Sequence, residues 1–350
     1  MKALVLEEIG KPLVVRNMPD PTNTADGVIV RVEANGVCRS DWHSWLGHWN
    51  WLGVETPLPH IMGHEFCGVI EDVGKDVTRF KKGDRVIVPF TQGDGTCPMC
   101  QAGHHNVCDN ITLPGITIWG GYGKFVHIPN ADTNLVILPE NIDFVEAAGI
   151  GCRFMTAFHG VTDQAQVRPG EWVAVHGCGG VGLSAIQIIT ALGAHAIAVD
   201  INDEKLAFAK KLGAVATVNS KKENAAGVIK ELTKGGAHVS VDALGITETC
   251  QSAINSLAKR GRHLQIGLTT SNEKGMIPVP IDLMVIKEIQ IVGSYGMQAP
   301  RFPQMLRMIE NGILRPKELV TQTISIEEAG SVIESMGTYA NMGVTVVNKW

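Results

Sequence analysis

Runs of lysine or arginine are absent from this 350-residue chain, in which 35 Asp and Glu outnumber 30 Lys and Arg for a formal net charge of -5. A surface for nucleic acid or anionic lipid therefore has no electrostatic basis, because both need clustered cations. The opening residues MKALVLEEIG hold only a short apolar run broken by Glu7 and Glu8. That is too brief for the apolar core of a secretory signal, and the cytoplasm is the expected location. From Trp172 to Val199 the chain has no Asp, Glu, Lys or Arg at all, a length that would suit a membrane span. Gly177, Gly179, Gly180, Gly182 and Gly193 cut that stretch, and it reads instead as strand, turn and helix in a buried βαβ unit. Internal repeats and low-complexity segments are also missing, which leaves Gly and Pro as the main punctuation.

Cysteine is well represented, with eight residues. In a long chain read as unsecreted, they point to metal or catalytic thiolates more than to a disulfide scaffold. The length predicts two domains. To about residue 150, short β-rich segments (GVIVRVEANGV, HEFCGVIEDVG, GDRVIVPF, GKFVHIP) are separated by turns, as in a barrel or folded-over sheet. After RPGEWVAVHG the rhythm becomes strand, helix, strand, helix, the pattern of a parallel sheet covered on both faces. Near Gly293 it ends, and ISIEEAGSVIESM with GVTVVN reads as a helix and a strand returning to the first domain, with a cleft between the two. The expected fold class is α/β, with a β-rich domain over 1–153 and 293–350 and a doubly wound domain over 154–292.

The segment GCGGVG, Gly177 to Gly182, fits G-x-G-x-x-G; it follows a strand and opens a helix, and Asp200 closes the next strand at the expected distance. Its glycines Gly177, Gly179 and Gly182, with Gly180 and Val181 between, allow a tight turn, close approach of a pyrophosphate and close helix packing. Asp200 suits the adenosine ribose hydroxyls and repels a 2′-phosphate, which favours NAD over NADP. A glycine-rich turn without a nucleotide is the competing reading.

Candidate metal residues are scattered. GVCRSDWH holds Cys38, Ser40, Asp41 and His43, MGHEFCG holds His64 and Glu65, and GCRFMTA holds Cys152. Two thiolates and an imidazole would leave an open tetrahedral position on zinc, as Lewis-acid catalysis needs. Composition alone equally allows Cys38 and Cys152 as buried small hydrophobes and His64 as a core histidine.

Taken together and in order, CRSDWH, GHE, the cysteine cluster DGTCPMCQAGHHNVC, GCRFMTA, GCGGVG and VDINDEK resemble the medium-chain, zinc-dependent alcohol dehydrogenase family across essentially the whole chain. The resemblance implies a β-rich GroES-like catalytic domain beside a Rossmann domain, and catalytic zinc on Cys38, His64 and Cys152. Asp41 would hold the far nitrogen of His64, and Glu65 would sit beside the metal and assist ligand exchange. Ser40 and His43 match the proton relay, with the other histidines, including His48, His60, His104 and His105, read as surface or core residues. Arg39 matches a pyrophosphate contact, the more so because Gly343 and Val344 replace a Gly-Arg pair common in the family. Thr156 and Val181 match positions flanking the nicotinamide, Lys205 one near the adenosine ribose, and Ile266, Gly267, Leu268, Ser294 and Tyr295 the later cofactor loops. Arg153 and Ala157 stand where many members have glycine, which is expected to loosen the fine geometry and spare the ligand.

The family's structural zinc lobe usually spaces four cysteines so that, counting back from Cys108 through Cys100 and Cys97, the first falls on Asp94. A carboxylate is an acceptable zinc ligand, so Asp94, Cys97, Cys100 and Cys108 form an altered but complete set, making two zinc ions per subunit. A redox pair at Cys97 and Cys100, or a metal-free lobe, are the alternatives. The expected activity is reversible hydride transfer from a primary or secondary alcohol to NAD, giving an aldehyde or ketone. A polyol dehydrogenase of the same family, or a non-enzymatic nucleotide- and zinc-binding protein, are the rivals. Trp42, Trp45, Trp49 and Trp51 suggest an apolar pocket for medium-chain or aromatic alcohols, or ordinary packing. A homo-oligomer is expected, a tetramer by analogy with compact microbial members.

Overall fold

The computed structural model describes residues 1–270, 272–338 and 341–350. They form two compact units, the first of Met1–Met155, Gly296–Gly312 and Pro316–Trp350 and the second of Thr156–Tyr295 with Ile313–Arg315.

The first unit is built on a seven-stranded sheet whose order is Val320–Ser325, Val344–Lys349, Val28–Val37, Glu65–Val73, Arg85–Ile87 and Val136–Ile137, with Phe125–Ile128 also pairing Val28–Val37. The long strand VIVRVEANGV is rich in β-branched residues and almost wholly buried, which suits a central position. Val30, Val32, Phe66, Ile70, Val86 and Val126 pack into one core beneath it. A three-stranded sheet of Val14–Asn17, Lys2–Leu6 and His60–Ile61 encloses a second core with Leu4, Leu6, Met62, Tyr122, Ile326 and Ile333. Register positions the chemistry: Gly36 lies opposite Glu65 and Val37 opposite Thr345. Cys38 thus leaves its strand where His64 enters the neighbouring one.

The second unit is a six-stranded, all-parallel sheet in the order Ala216–Asn219, His195–Asp200, Trp172–His176, Ala237–Asp242, Leu257–Gln265, Gln290–Gly293. In chain order this is 3-2-1-4-5-6, the doubly wound Rossmann arrangement, in which ligands sit beyond the carboxyl ends of the strands at the reversal between the first and the fourth. The strand Leu257–Gln265 follows closely on the preceding helix, which stops at Asn255. A register shift between Ala237 and Val239, with Arg260 at φ 60°, bulges the strand through the charged stretch KRGR, where no alternation marks it. Among the described residues no helix is long and apolar enough to cross a membrane.

Candidate metal centres and cofactor loop

Cys38 caps the helix Arg39–Trp45, His64 precedes the strand Glu65–Val73, and Cys152 opens the helix Cys152–His159. The ligand atoms of Cys38, His64, Glu65 and Cys152 lie within 4.8 Å of one another. Nδ1 of His64 meets Oδ1 of Asp41 at 2.8 Å. With that contact assigned as a donated N–H, Nε2 carries the lone pair, and it is buried without a partner. An unpartnered buried nitrogen beside two sulfurs would be costly on its own, and it is the donor set that zinc takes up. The sulfurs are electronically unequal without metal. A hydrogen bond from Cys152 is the chief cause that holds the Cys38 thiol well below its ordinary range, with His64 and Arg153 adding to it against burial. The Cys152 thiol is pushed correspondingly up, first by that bond and then by burial.

Two neighbours of this cluster have contacts that no motif announced. The fully buried Tyr122 donates its hydroxyl to Oδ2 of Asp41 at 2.9 Å, and the Cys38 amide donates to the same oxygen at 3.0 Å. Asp41 is thereby fixed on three sides. The second neighbour is Arg153, whose Nε donates to Oε1 of Glu65 at 2.9 Å, whose Nη2 meets Oε2, and whose amide donates to Oε1 at 3.2 Å. Burial pushes the Glu65 carboxyl up to about 7 against the pull of this guanidinium. Arg153 was expected to loosen the local geometry; it tightens it, because a planar fork engages both oxygens of a carboxylate at once.

Ser40 and His43 share the helix that Cys38 caps, and Nδ1 of His43 stands 3.0 Å from Nδ1 of His48. Arg39 donates to the Met336 carbonyl at 2.7 Å and lies 4.5 Å over the Trp42 ring. The tryptophans divide. Trp42 and Trp45 pack against the core of the three-stranded sheet, and the Trp45 indole donates to the Lys11 carbonyl. Trp49 stacks on His43 and Trp51 is exposed. The pocket expected of all four therefore loses two of them to packing.

A second cluster joins Asp94, Cys97, Cys100 and Cys108, again within 4.8 Å. Backbone amides point at the sulfurs: Cys100 N–H reaches Cys97 Sγ at 3.4 Å, and Asp94 and Asn110 N–H reach Cys108 Sγ at 3.4 and 3.3 Å. Asp94 is held well below the usual carboxylate range by Asn110, then by the Thr96 and Cys97 amides. Its oxygens retain lone pairs beyond those bonds. Three buried sulfurs and one ionised carboxylate fit a closed four-coordinate zinc site.

In the second unit, Gly177 takes φ 93° after the strand Trp172–His176, Gly179 caps the helix Gly180–Ala191, and a Cβ at Gly182 would collide with the Gly177 carbonyl. Val181 lies in the first turn of that helix. Asp200 ends the adjacent strand and accepts the Cys178 amide at 2.7 Å and the Asn202 amide at 3.0 Å. Lys205 lies in the helix Asp203–Lys211. Ile266 and Gly267 donate their amides to the Asp242 carbonyl, and Leu268 is exposed. Buried hydroxyls of Thr156 and Ser294 lack partners, and Tyr295 follows Ser294 at the end of this unit's main segment.

Comparisons with known proteins bear on the fold and the family. The family model for the alcohol dehydrogenase GroES-like domain matches residues 24–140, and that for zinc-binding dehydrogenase matches residues 180–311. An alcohol dehydrogenase of Geobacillus stearothermophilus is 39% identical over 295 residues, 84% of each chain. An NAD-dependent alcohol dehydrogenase of Sulfurisphaera tokodaii is 32% identical over 99% of each. The crystal structure of the alcohol dehydrogenase from Aeropyrum pernix superposes with a TM-score of 0.90 at 30% identity, covering 99% of this chain and 100% of that one. The chain belongs to the zinc-dependent, medium-chain alcohol dehydrogenase family.

Proposed function

We propose that the protein is an NAD-dependent alcohol dehydrogenase that reversibly converts primary or secondary alcohols to aldehydes or ketones, with zinc on Cys38, His64 and Cys152. The observation that carries this reading is the His64 ring, tied to Asp41 at Nδ1 and left buried and unpartnered at Nε2 beside two sulfurs. Bound zinc supplies Lewis acidity, which lowers the pKa of an alcohol oxygen. Asp41, itself held by Tyr122 and the Cys38 amide, fixes the imidazole's tautomer and direction. Ser40 would accept the alcohol proton and His43 would pass it on toward solvent. Asp94, Cys97, Cys100 and Cys108 hold a second, structural zinc, giving two per subunit.

For the cofactor, Gly177, Gly179, Gly180, Val181 and Gly182 serve the pyrophosphate with Arg39. Asp200 and Lys205 serve the adenosine ribose, while Thr156, Ile266, Gly267, Leu268, Ser294 and Tyr295 serve the nicotinamide side. Two further features support the finer assignments. None of the eight cysteines is in a disulfide, in keeping with a reducing cytoplasm. Among the described residues the strand Gln290–Gly293 is an edge of its sheet, and Met276, Val285 and Ile286, which precede it in the chain, are 80%, 71% and 78% exposed. An open apolar edge of that kind favours pairing with a second copy, and we assign a homo-oligomer, a tetramer by analogy.

The test is zinc content by elemental analysis together with initial rates across primary, secondary and benzylic alcohols and polyols, with NAD and with NADP. Two zinc ions per chain and NAD-linked turnover of simple alcohols are expected. Turnover of polyols alone would move the protein to that substrate class. Zinc and NADH binding without any turnover would refute the enzymatic reading.

A further inference from the structure

The helix that carries Ser40 and His43 ends in a closed turn. Gly47 adopts φ 64°, its amide donates to the Ser44 carbonyl at 3.1 Å, and the His48 amide donates to the His43 carbonyl at 3.0 Å. This is the Schellman arrangement, which sets the side chain of the second residue beyond the cap against that of the third residue before it. Such pairs are normally apolar. Here they are His48 and His43, with Nδ1 facing Nδ1 at 3.0 Å.

The surroundings hold the pair in place. Trp42 stands edge-on to both rings at 4.9 Å and Trp49 stacks on His43 at 5.5 Å. Burial, and after it the charges of Arg39 and His48, lower the His43 pKa to about 4, with Cys38 pulling the other way; burial and then Arg39 lower the His48 pKa as well, although its ring is the more open. His43 is therefore a poor place for a proton to rest. A relay group of that kind needs an acceptor on its far side.

We propose that His48 is the terminal carrier of the relay, taking the proton from His43 and releasing one to water. A proton arriving at Nε2 of His43 forms an N–H bond there as the Nδ1–H bond breaks. The proton so released forms an N–H bond at Nδ1 of His48, and the His48 Nε2–H proton leaves to solvent. Neither ring keeps a charge, nothing is oxidised or reduced, and exchange with water resets the tautomers. Aldehyde or ketone reduction runs the same path inward.

The inference rests on His43 as a relay group, and the test separates the two. In the full-length, zinc-loaded protein, His48→Ala should lower kcat for alcohol oxidation about tenfold near pH 6.5, a part of what a positioned proton carrier contributes. The loss should vanish above about pH 9, where solvent base substitutes, and added imidazole should restore the rate while the NAD KM holds. His48→Asn keeps a hydrogen-bonding partner but carries no proton, so its pH profile should follow His48→Ala. Without substrate, the nitrogen-15-labelled protein should show a downfield shared N–H···N proton that His48→Ala abolishes. A wild-type pH profile in His48→Ala, recovery by His48→Asn, or absence of that resonance in the wild type overturns the proposal. Wild-type rates in His43→Ala at low pH would overturn the relay itself, whereas a slow His43→Ala beside an unaffected His48→Ala overturns only the role of His48.

Discussion

Arg153→Met is the substitution whose consequence the structure bounds most tightly. The Arg153 side chain is 9% exposed and that of Glu65 1%, so removing the guanidinium leaves a carboxylate in the interior with the Arg153 amide as its remaining bond in the pair. Deleting one member of a buried ion pair costs about 3–5 kcal/mol, because the other charge is left uncompensated. Replacing both members costs far less. Methionine keeps most of the arginine stem, which confines the loss to the charge and its bonds. The assay is equilibrium unfolding in guanidinium chloride at fixed free zinc, followed by tryptophan fluorescence. Six of the seven tryptophans lie in the first unit, so the signal reports the part of the chain that holds the pair. Arg153→Met should lose about 4 kcal/mol, and adding Glu65→Gln to it should recover at least about half, roughly 2 kcal/mol, so that the double variant loses less than the two single variants together. A single variant within about 1 kcal/mol of the parent, or losses that simply add, would refute the reasoning.

Asp94→Ala should lower zinc content by about one ion per chain and reduce thermal stability, because a four-coordinate structural site loses its closing ligand, while kcat is retained; undiminished zinc on elemental analysis would remove Asp94 from the set. Asp200→Gly should raise the ratio of NADP to NAD kcat/KM by about tenfold, roughly 1.4 kcal/mol. It should also weaken NAD itself, because the loop loses the bond to the Cys178 amide; an unchanged ratio in steady-state kinetics would contradict the assignment. His60 supplies a pH test. Its ring is fully buried with no well-formed hydrogen bond at either nitrogen, and burial lowers its pKa to about 4, partly offset by the Gly115 backbone. The unfolded chain then binds the extra proton between about pH 6.5 and 4, so stability falls across that window as the pH drops, by on the order of 3 kcal/mol. His60→Gln should flatten the urea midpoint over that range, and an equally steep fall would assign it to other groups.

Much of the fold was legible because its signals are local. The strand Trp172–His176, the glycine turn and the acidic close of the next strand at Asp200 follow one another within thirty residues of chain, and periodicity reads them directly. The first unit was less legible where its strands are short or exposed. Lys2–Leu6 pairs with Val14–Asn17, but the latter is mostly exposed and shows no alternation. The ligand residues and Asp41 were named from motifs, whereas the groups that hold Asp41 and Glu65 in turn were not. Tyr122 reaches Asp41 across 81 residues and Arg153 reaches Glu65 across 88, and no local pattern announces such pairs. Gly47 marks a helix end by its type alone, yet only the closed turn reveals that His48 folds back onto His43.

The pairing of Val37 with Thr345, one residue from Cys38, ties the order of synthesis to the acquisition of metal. A chain made from its amino end has exposed Cys38, His64 and Cys152 long before Val344–Lys349 leaves the ribosome. Until then the strand that delivers Cys38 lacks one of its flanking partners, and the intervening Rossmann unit is free to fold by itself as it emerges. The full strand support of that candidate site is therefore completed late in synthesis. A product that stops short of Thr345 would carry Cys38, His64 and Cys152 without the strand pairing beside Cys38.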